Sequence, residues 1–63
     1  MSSEEILMEY AKHCMSVHKR NIETWEHGNI KKVWIDQDDN ICVEYESCRW
    51  WHYRIIDNTI EWW

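Results

Sequence analysis

The hydrophobic pattern changes period once along the chain, at Gly28, the only glycine. Before it, Ile6, Leu7, Tyr10, Ala11, Cys14, Val17, His18, Ile22 and Trp25 recur at steps of three and four. That spacing gathers side chains on one side of a helix. After it, apolar and polar residues alternate through 30–36 (IKKVWID) and 41–46 (ICVEYE). The stretch 49–56 (RWWHYRII) is rich in aromatic and β-branched residues, and 59–63 (TIEWW) closes the sequence. A period of two belongs to strands whose two faces meet different surroundings. One switch of period therefore predicts one helix followed by one sheet.

Local signals set the expected boundaries. Ser2 or Ser3 before Glu4 and Glu5 reads as a helix start, because a serine oxygen accepts orphan amides and acids suit the positive end of the dipole. The pair Gly28-Asn29 reads as a stop, so the helix is expected over about 3–25. Turn residues at 37–40 (QDDN), 47–48 (SC) and 57–58 (DN) separate the strands by connections short enough to be hairpins. The expected fold is α+β: one domain over 1–63, with an N-terminal helix on a four-stranded antiparallel meander in the order α-β-β-β-β. Strands are expected at about 30–36, 41–46, 49–56 and 59–63.

Pairing apolar residues with one another predicts the registers. A two-residue Asp57-Asn58 loop sets Ile55 against Ile60, Tyr53 against Trp62, Arg54 against Glu61 and His52 against Trp63. A loop at 38–40, with Asn40 left-handed, sets Ile35 against Val43 and Val33 against Tyr45. A loop at 47–49 sets Tyr45 against Trp51 and Val43 against Tyr53. One face then carries Val33, Ile35, Ile41, Val43, Tyr45, Trp51, Tyr53, Ile55, Ile60 and Trp62, and belongs under the helix. The other carries Trp34, Cys42, Glu44, Glu46, Trp50, His52, Arg54, Glu61 and Trp63. In these registers Trp34, Glu44, His52 and Trp63 form one row across the four strands.

Composition narrows the function. The formal charge is −5, which disfavours direct binding to nucleic acid, whose affinity comes from Lys and Arg neutralising phosphates. It favours a basic partner, such as a nucleic-acid-binding protein. Three cysteines cannot form a closed disulfide set. The acidic start MSSEE is not a secretory signal, and no run approaches the ~20 apolar residues that span a bilayer. The expectation is a reduced, cytoplasmic protein without a membrane segment.

Chemical motifs are sparse. Cys14 and His18, four apart on the helix, with Cys42 and Cys48 would offer a zinc-type donor set, but the short Cys-x-x-Cys knuckle is missing and Cys42 belongs to the far face. His52 beside Glu44 would orient an imidazole, yet so small a domain has little room for the enclosed site that catalysis needs. Neither a cofactor nor an enzymatic activity is expected. Aromatic residues rimmed by charge have the composition of a protein interface. The expected function is a small adaptor or inhibitor that binds a protein, or a second copy of itself, through Trp34, Glu44, Glu46, Trp50, His52, Arg54, Glu61 and Trp63. A module that stacks nucleobases or a ligand on exposed tryptophans, and a zinc-stabilised structural domain, are the alternatives.

Overall fold

A computed structural model describes residues 3–63. Ser2, one of the two expected helix-capping serines, lies outside the described residues. Helix α1 (Ser3–Arg20) is followed by β1 (Ile30–Ile35), β2 (Ile41–Tyr45), β3 (Trp50–Ile56) and β4 (Thr59–Trp62). The strands form one antiparallel sheet in the order β1-β2-β3-β4, the expected α-β-β-β-β meander. Among the described residues no helix is long and apolar enough to cross a membrane.

The helix ends at Arg20, about five residues before the expected stop. Asn21 ends it: its side-chain amide donates to the Val17 carbonyl at 2.8 Å, competing with the backbone bond that would extend the helix. Ile22 and Trp25 keep the helical spacing but belong to a loop. That loop folds Trp25 over the sheet, where its indole N–H donates to the Gly28 carbonyl at 2.9 Å. Gly28 sits at φ 76°, and a Cβ there would meet the Glu46 carboxylate at 2.8 Å. Both the backbone angle and the close approach therefore call for glycine.

The three hairpins show what pattern reading can and cannot fix. The last is as expected: Asp57 and Asn58 both take positive φ, the primed two-residue turn that matches strand twist. Its register is Tyr53↔Trp62, Arg54↔Glu61 and Ile55↔Ile60. The first two hairpins are each shifted by two residues from expectation. Val33 faces Val43 and Ile35 faces Ile41, rather than Tyr45 and Val43. Val43 faces Trp51 and Ile41 faces Tyr53. In both, the turn begins one residue earlier than expected, and the left-handed residue is Asp39 (φ 62°) instead of Asn40, and Cys48 (φ 72°). The cause is local. Asp36 Oδ1 accepts the amides of Asp38 and Asn40, each at 2.9 Å, so Asp36 opens the first turn. Glu46 Oε1 accepts the Asn29 amide at 2.6 Å, which holds Glu46 in the second turn rather than in β2. A shift of two residues preserves which face each side chain occupies.

The core lies between the sheet and the C-terminal half of α1. Ala11, Cys14, Val43, Tyr45, Tyr53 and Ile60 are buried together, with Trp51 and Trp62 packed against them. His18 is 2% exposed and sits among aromatic rings, with centroids at 5.1 Å (Trp25), 5.0 Å (Trp51) and 4.7 Å (Trp62, stacked). The N-terminal half of α1 stands off the sheet. Ile6, Tyr10, Ile35 and Ile55 remain exposed there, so two residues expected under the helix are uncovered. With Leu7 and Ile41 they line an open groove of about 500 Å³.

Burial holds His18 below its ordinary pKa, with His27 adding a smaller push in the same direction. The ring is hydrogen-bonded through Nδ1 to the Tyr53 hydroxyl at 2.6 Å, and that hydroxyl is hydrogen-bonded to Tyr45 at 2.7 Å. Below about pH 6.5 the unfolded chain takes up a proton at this position that the folded chain refuses. The unfolded state then binds more protons, so stability is full above that value and falls as pH drops toward the folded-state pKa. The urea midpoint should therefore decrease between about pH 7.5 and about pH 5, and less so in His18→Asn. A midpoint that holds or rises across this interval would contradict a neutral buried ring.

Candidate functional site

The face of the sheet turned away from the helix carries a continuous aromatic row. Each member is delivered by strand alternation: Trp34 from β1, Trp50 and His52 from β3, and Trp63 just past β4. Trp63 exchanges both backbone hydrogen bonds with His52, at 3.0 and 3.2 Å, and so extends the ladder by one residue. Ring centroids run from Trp34 to Trp50 at 5.3 Å, Trp50 to His52 at 4.8 Å, and His52 to Trp63 at 5.0 Å. The last pair is stacked, with 3° between planes. Trp50 and Trp63 are 48% and 50% exposed.

Cations close the two ends of the row. Lys32 Nζ lies 5.7 Å from the Trp34 ring and the Arg54 guanidinium 5.6 Å from the Trp63 ring, both within cation–π range. Arg54 also donates to Glu61 at 3.0 Å. Glu44 stands between Lys32 on β1 and Trp50 on β3. Six of the expected contact residues, Trp34, Trp50, His52, Arg54, Glu61 and Trp63, thus meet in one connected surface, with Glu44 beside it. Glu46 does not join them, because its carboxylate closes the second turn against Gly28 and Asn29.

The expected row of Trp34, Glu44, His52 and Trp63 is corrected at its second member. With the register shifted by two, Cys42 stands between Trp34 and His52. Cys42 is fully buried although it points away from the helix, so the outer face has a small interior of its own. Asp36 joins it: the side-chain donors of Asp36, Cys42 and His52 all lie within 4.8 Å of one another. His52 Nε2 is 3.8 Å from Asp36 Oδ2, and His52 Nδ1 lies 3.3 Å from the Trp63 carbonyl. Three hydrogen bonds hold the Asp36 carboxyl below the usual carboxylate range, the Asn40 amide contributing most. Burial, reinforced by the nearby Asp36 charge, pushes the Cys42 thiol up. A buried thiol held in its protonated form is a poor nucleophile. The Cys-His-Asp composition therefore does not amount to an activated sulfur.

The four residues of the alternative zinc set do not assemble. Cys14 and His18 lie beneath the helix, Cys42 lies on the opposite side of the sheet, and Cys48 is exposed in the second turn. His18 also directs Nδ1 to Tyr53. The residues that do converge include Asp36, which the sequence pattern places at the end of the first expected strand. Its pairing with Asn40 in a D-x-x-x-N turn was the available signal, since such an aspartate folds back onto its own turn amides. No family model, no curated protein and no solved structure matches the chain, so the geometry of this outer face is the guide to what it does.

Proposed function

We propose that this protein is a small binding module whose outer sheet face docks on a basic protein surface. The observation that carries the reading is the aromatic row Trp34–Trp50–His52–Trp63, continuous over four rings, half-buried at Trp34 and His52, exposed at Trp50 and Trp63, and bordered by charge. Aromatic side chains at the centre of a patch, with charged residues at its rim, are the usual carriers of interface energy. The rings are already ordered against one another, so little side-chain entropy remains to be lost on docking. The first and third turns of a meander fall at the same end of its sheet, which brings Asp38, Asp39 and Asp57 together beyond the row. These acids and the net charge of −5 supply attraction to a cationic partner and speed encounter with it. Such chemistry suits an adaptor, or an inhibitor that covers a basic groove.

Affinity capture with the wild-type chain and with a Trp50→Ala/Trp63→Ala double variant tests this reading. The wild type should retain a basic protein whose binding weakens with salt. The double variant, checked for folding by far-UV circular dichroism, should lose at least about 30-fold in affinity, as two modest hot spots would. Equal retention by both chains would remove the row as the interface. Sedimentation equilibrium of the wild type then asks whether a second copy of the chain occupies the same face. Retardation of a nucleic acid at low salt would instead favour base stacking on the tryptophans.

A further inference from the structure

We propose that Asp36, Cys42 and His52 form a binding site for one zinc-class divalent ion beneath the aromatic row. The donors come from three successive segments: the first turn, β2 and β3. Each is already oriented. The Trp63 carbonyl can only accept, so His52 donates to it from Nδ1 and leaves the lone pair on Nε2 facing Asp36 and Cys42. This is the second-shell arrangement that presents histidine to metals. Asp36 is fixed by Asp38 and Asn40 through Oδ1, and by Asn40 Nδ2 at 3.2 Å through Oδ2. Cys42 Sγ is fully buried, and its one polar contact is the Asn40 carbonyl at 3.9 Å.

Three electron-rich atoms thus converge with no hydrogen bond between any two of them. The separation of 3.8 Å between Nε2 and Oδ2 is too long for one. A cation placed among them would be a shared partner for all three. Tetrahedral coordination at zinc bond lengths sets donors roughly 3.5 Å apart, so side-chain adjustments of about an ångström close the site. The donor set of imidazole, thiolate and carboxylate suits zinc better than magnesium or calcium, which favour oxygen alone. Charge also balances. As the sulfur–metal bond forms, the Cys42 S–H proton leaves to solvent, and the thiolate with the Asp36 carboxylate neutralises a divalent ion. Water completes the coordination. The ion would clasp the first turn, β2 and β3 on the side the helix does not cover.

Cobalt(II), a spectroscopic substitute for zinc, tests the site on the full, reduced chain. One equivalent should bind, with a thiolate-to-cobalt charge-transfer band that zinc abolishes by displacement. The band should persist in Cys14→Ser and Cys48→Ser and vanish in Cys42→Ser. Asp36→Asn and His52→Gln should each weaken binding by about 100-fold, the upper end of what losing an orienting partner alone costs. These two substitutions change half-buried residues and carry the test if Cys42→Ser fails to fold. Absence of the band in the wild type would overturn the proposal. So would a band that survives Cys42→Ser, one that is lost with Cys48→Ser, or cobalt affinity unchanged in both Asp36→Asn and His52→Gln.

Discussion

Replacing Trp51 with alanine should cost about 3 kcal/mol of stability, whereas the same change at Trp50 should leave the fold nearly as stable as before. The two residues are adjacent on β3, yet strand alternation sends them to opposite faces. Trp51 packs on the core, its ring 5.0 Å from His18, 4.7 Å from His27 and 5.9 Å from Tyr45. Truncating a packed tryptophan costs about 3–5 kcal/mol, and partial exposure puts Trp51 near the lower figure. A domain of this length is stable by only roughly 3–9 kcal/mol, so the loss removes a third of that or more. The ring neighbours of Trp50, Trp34 and His52, lie on the outer face, and its truncation should cost about 1 kcal/mol. Urea unfolding followed by circular dichroism compares the two. Equal costs would mean that the outer row is as much a core as the inner one.

Removing one oxygen atom in Tyr53→Phe should cost about 2–4 kcal/mol. The Tyr53 hydroxyl is the middle link of the chain from Tyr45 to His18, with bonds of 2.7 and 2.6 Å. Phenylalanine fits the same space but strands a buried polar atom at each end, and each stranded group costs about 1–3 kcal/mol. All three residues are buried, and no buried side-chain nitrogen or oxygen among the described residues lacks a partner, so no spare group stands ready to compensate. Burial, with the Tyr45 hydrogen bond and charge adding to it, pushes the Tyr53 phenol far above its ordinary value, so the link stays protonated throughout the accessible pH range. For a domain of this size the thermal midpoint should fall by roughly 10 °C or more. Tyr10→Phe, at a site 52% exposed, is the control and should be nearly neutral. A Tyr53→Phe midpoint equal to that control would show that the buried chain contributes nothing.

The contrast between these two sites and the outer face shows what was legible in the residues themselves. Trp51, Tyr53 and Tyr45 lie on the inner face under every register that keeps strand parity, so their burial follows from alternation alone. The break at Gly28, the Asp57-Asn58 turn and the Arg54–Glu61 pair are likewise local. They depend on backbone angles or on immediate neighbours. The end of the helix was not legible from spacing, because Ile22 and Trp25 continue the apolar rhythm after Asn21 has turned the chain. Coverage by the helix was not legible either. Ile35 and Ile55 face the helix side, but α1 diverges from the sheet at its N-terminal half and leaves them exposed.

The sequence by itself determined the order of elements and the face of nearly every strand residue, since periods of 3.6 and two are properties of the backbone. Tertiary structure decided which outward-facing side chains became neighbours. Side chains repeat every second residue along a strand, so a slip of two keeps each face and exchanges every partner. The carboxylates of Asp36 and Glu46, each bound to turn or loop amides, selected the actual registers. That choice removed Glu44 from the row beside His52 and installed Cys42. The cluster of Asp36, Cys42 and His52 exists because of that exchange.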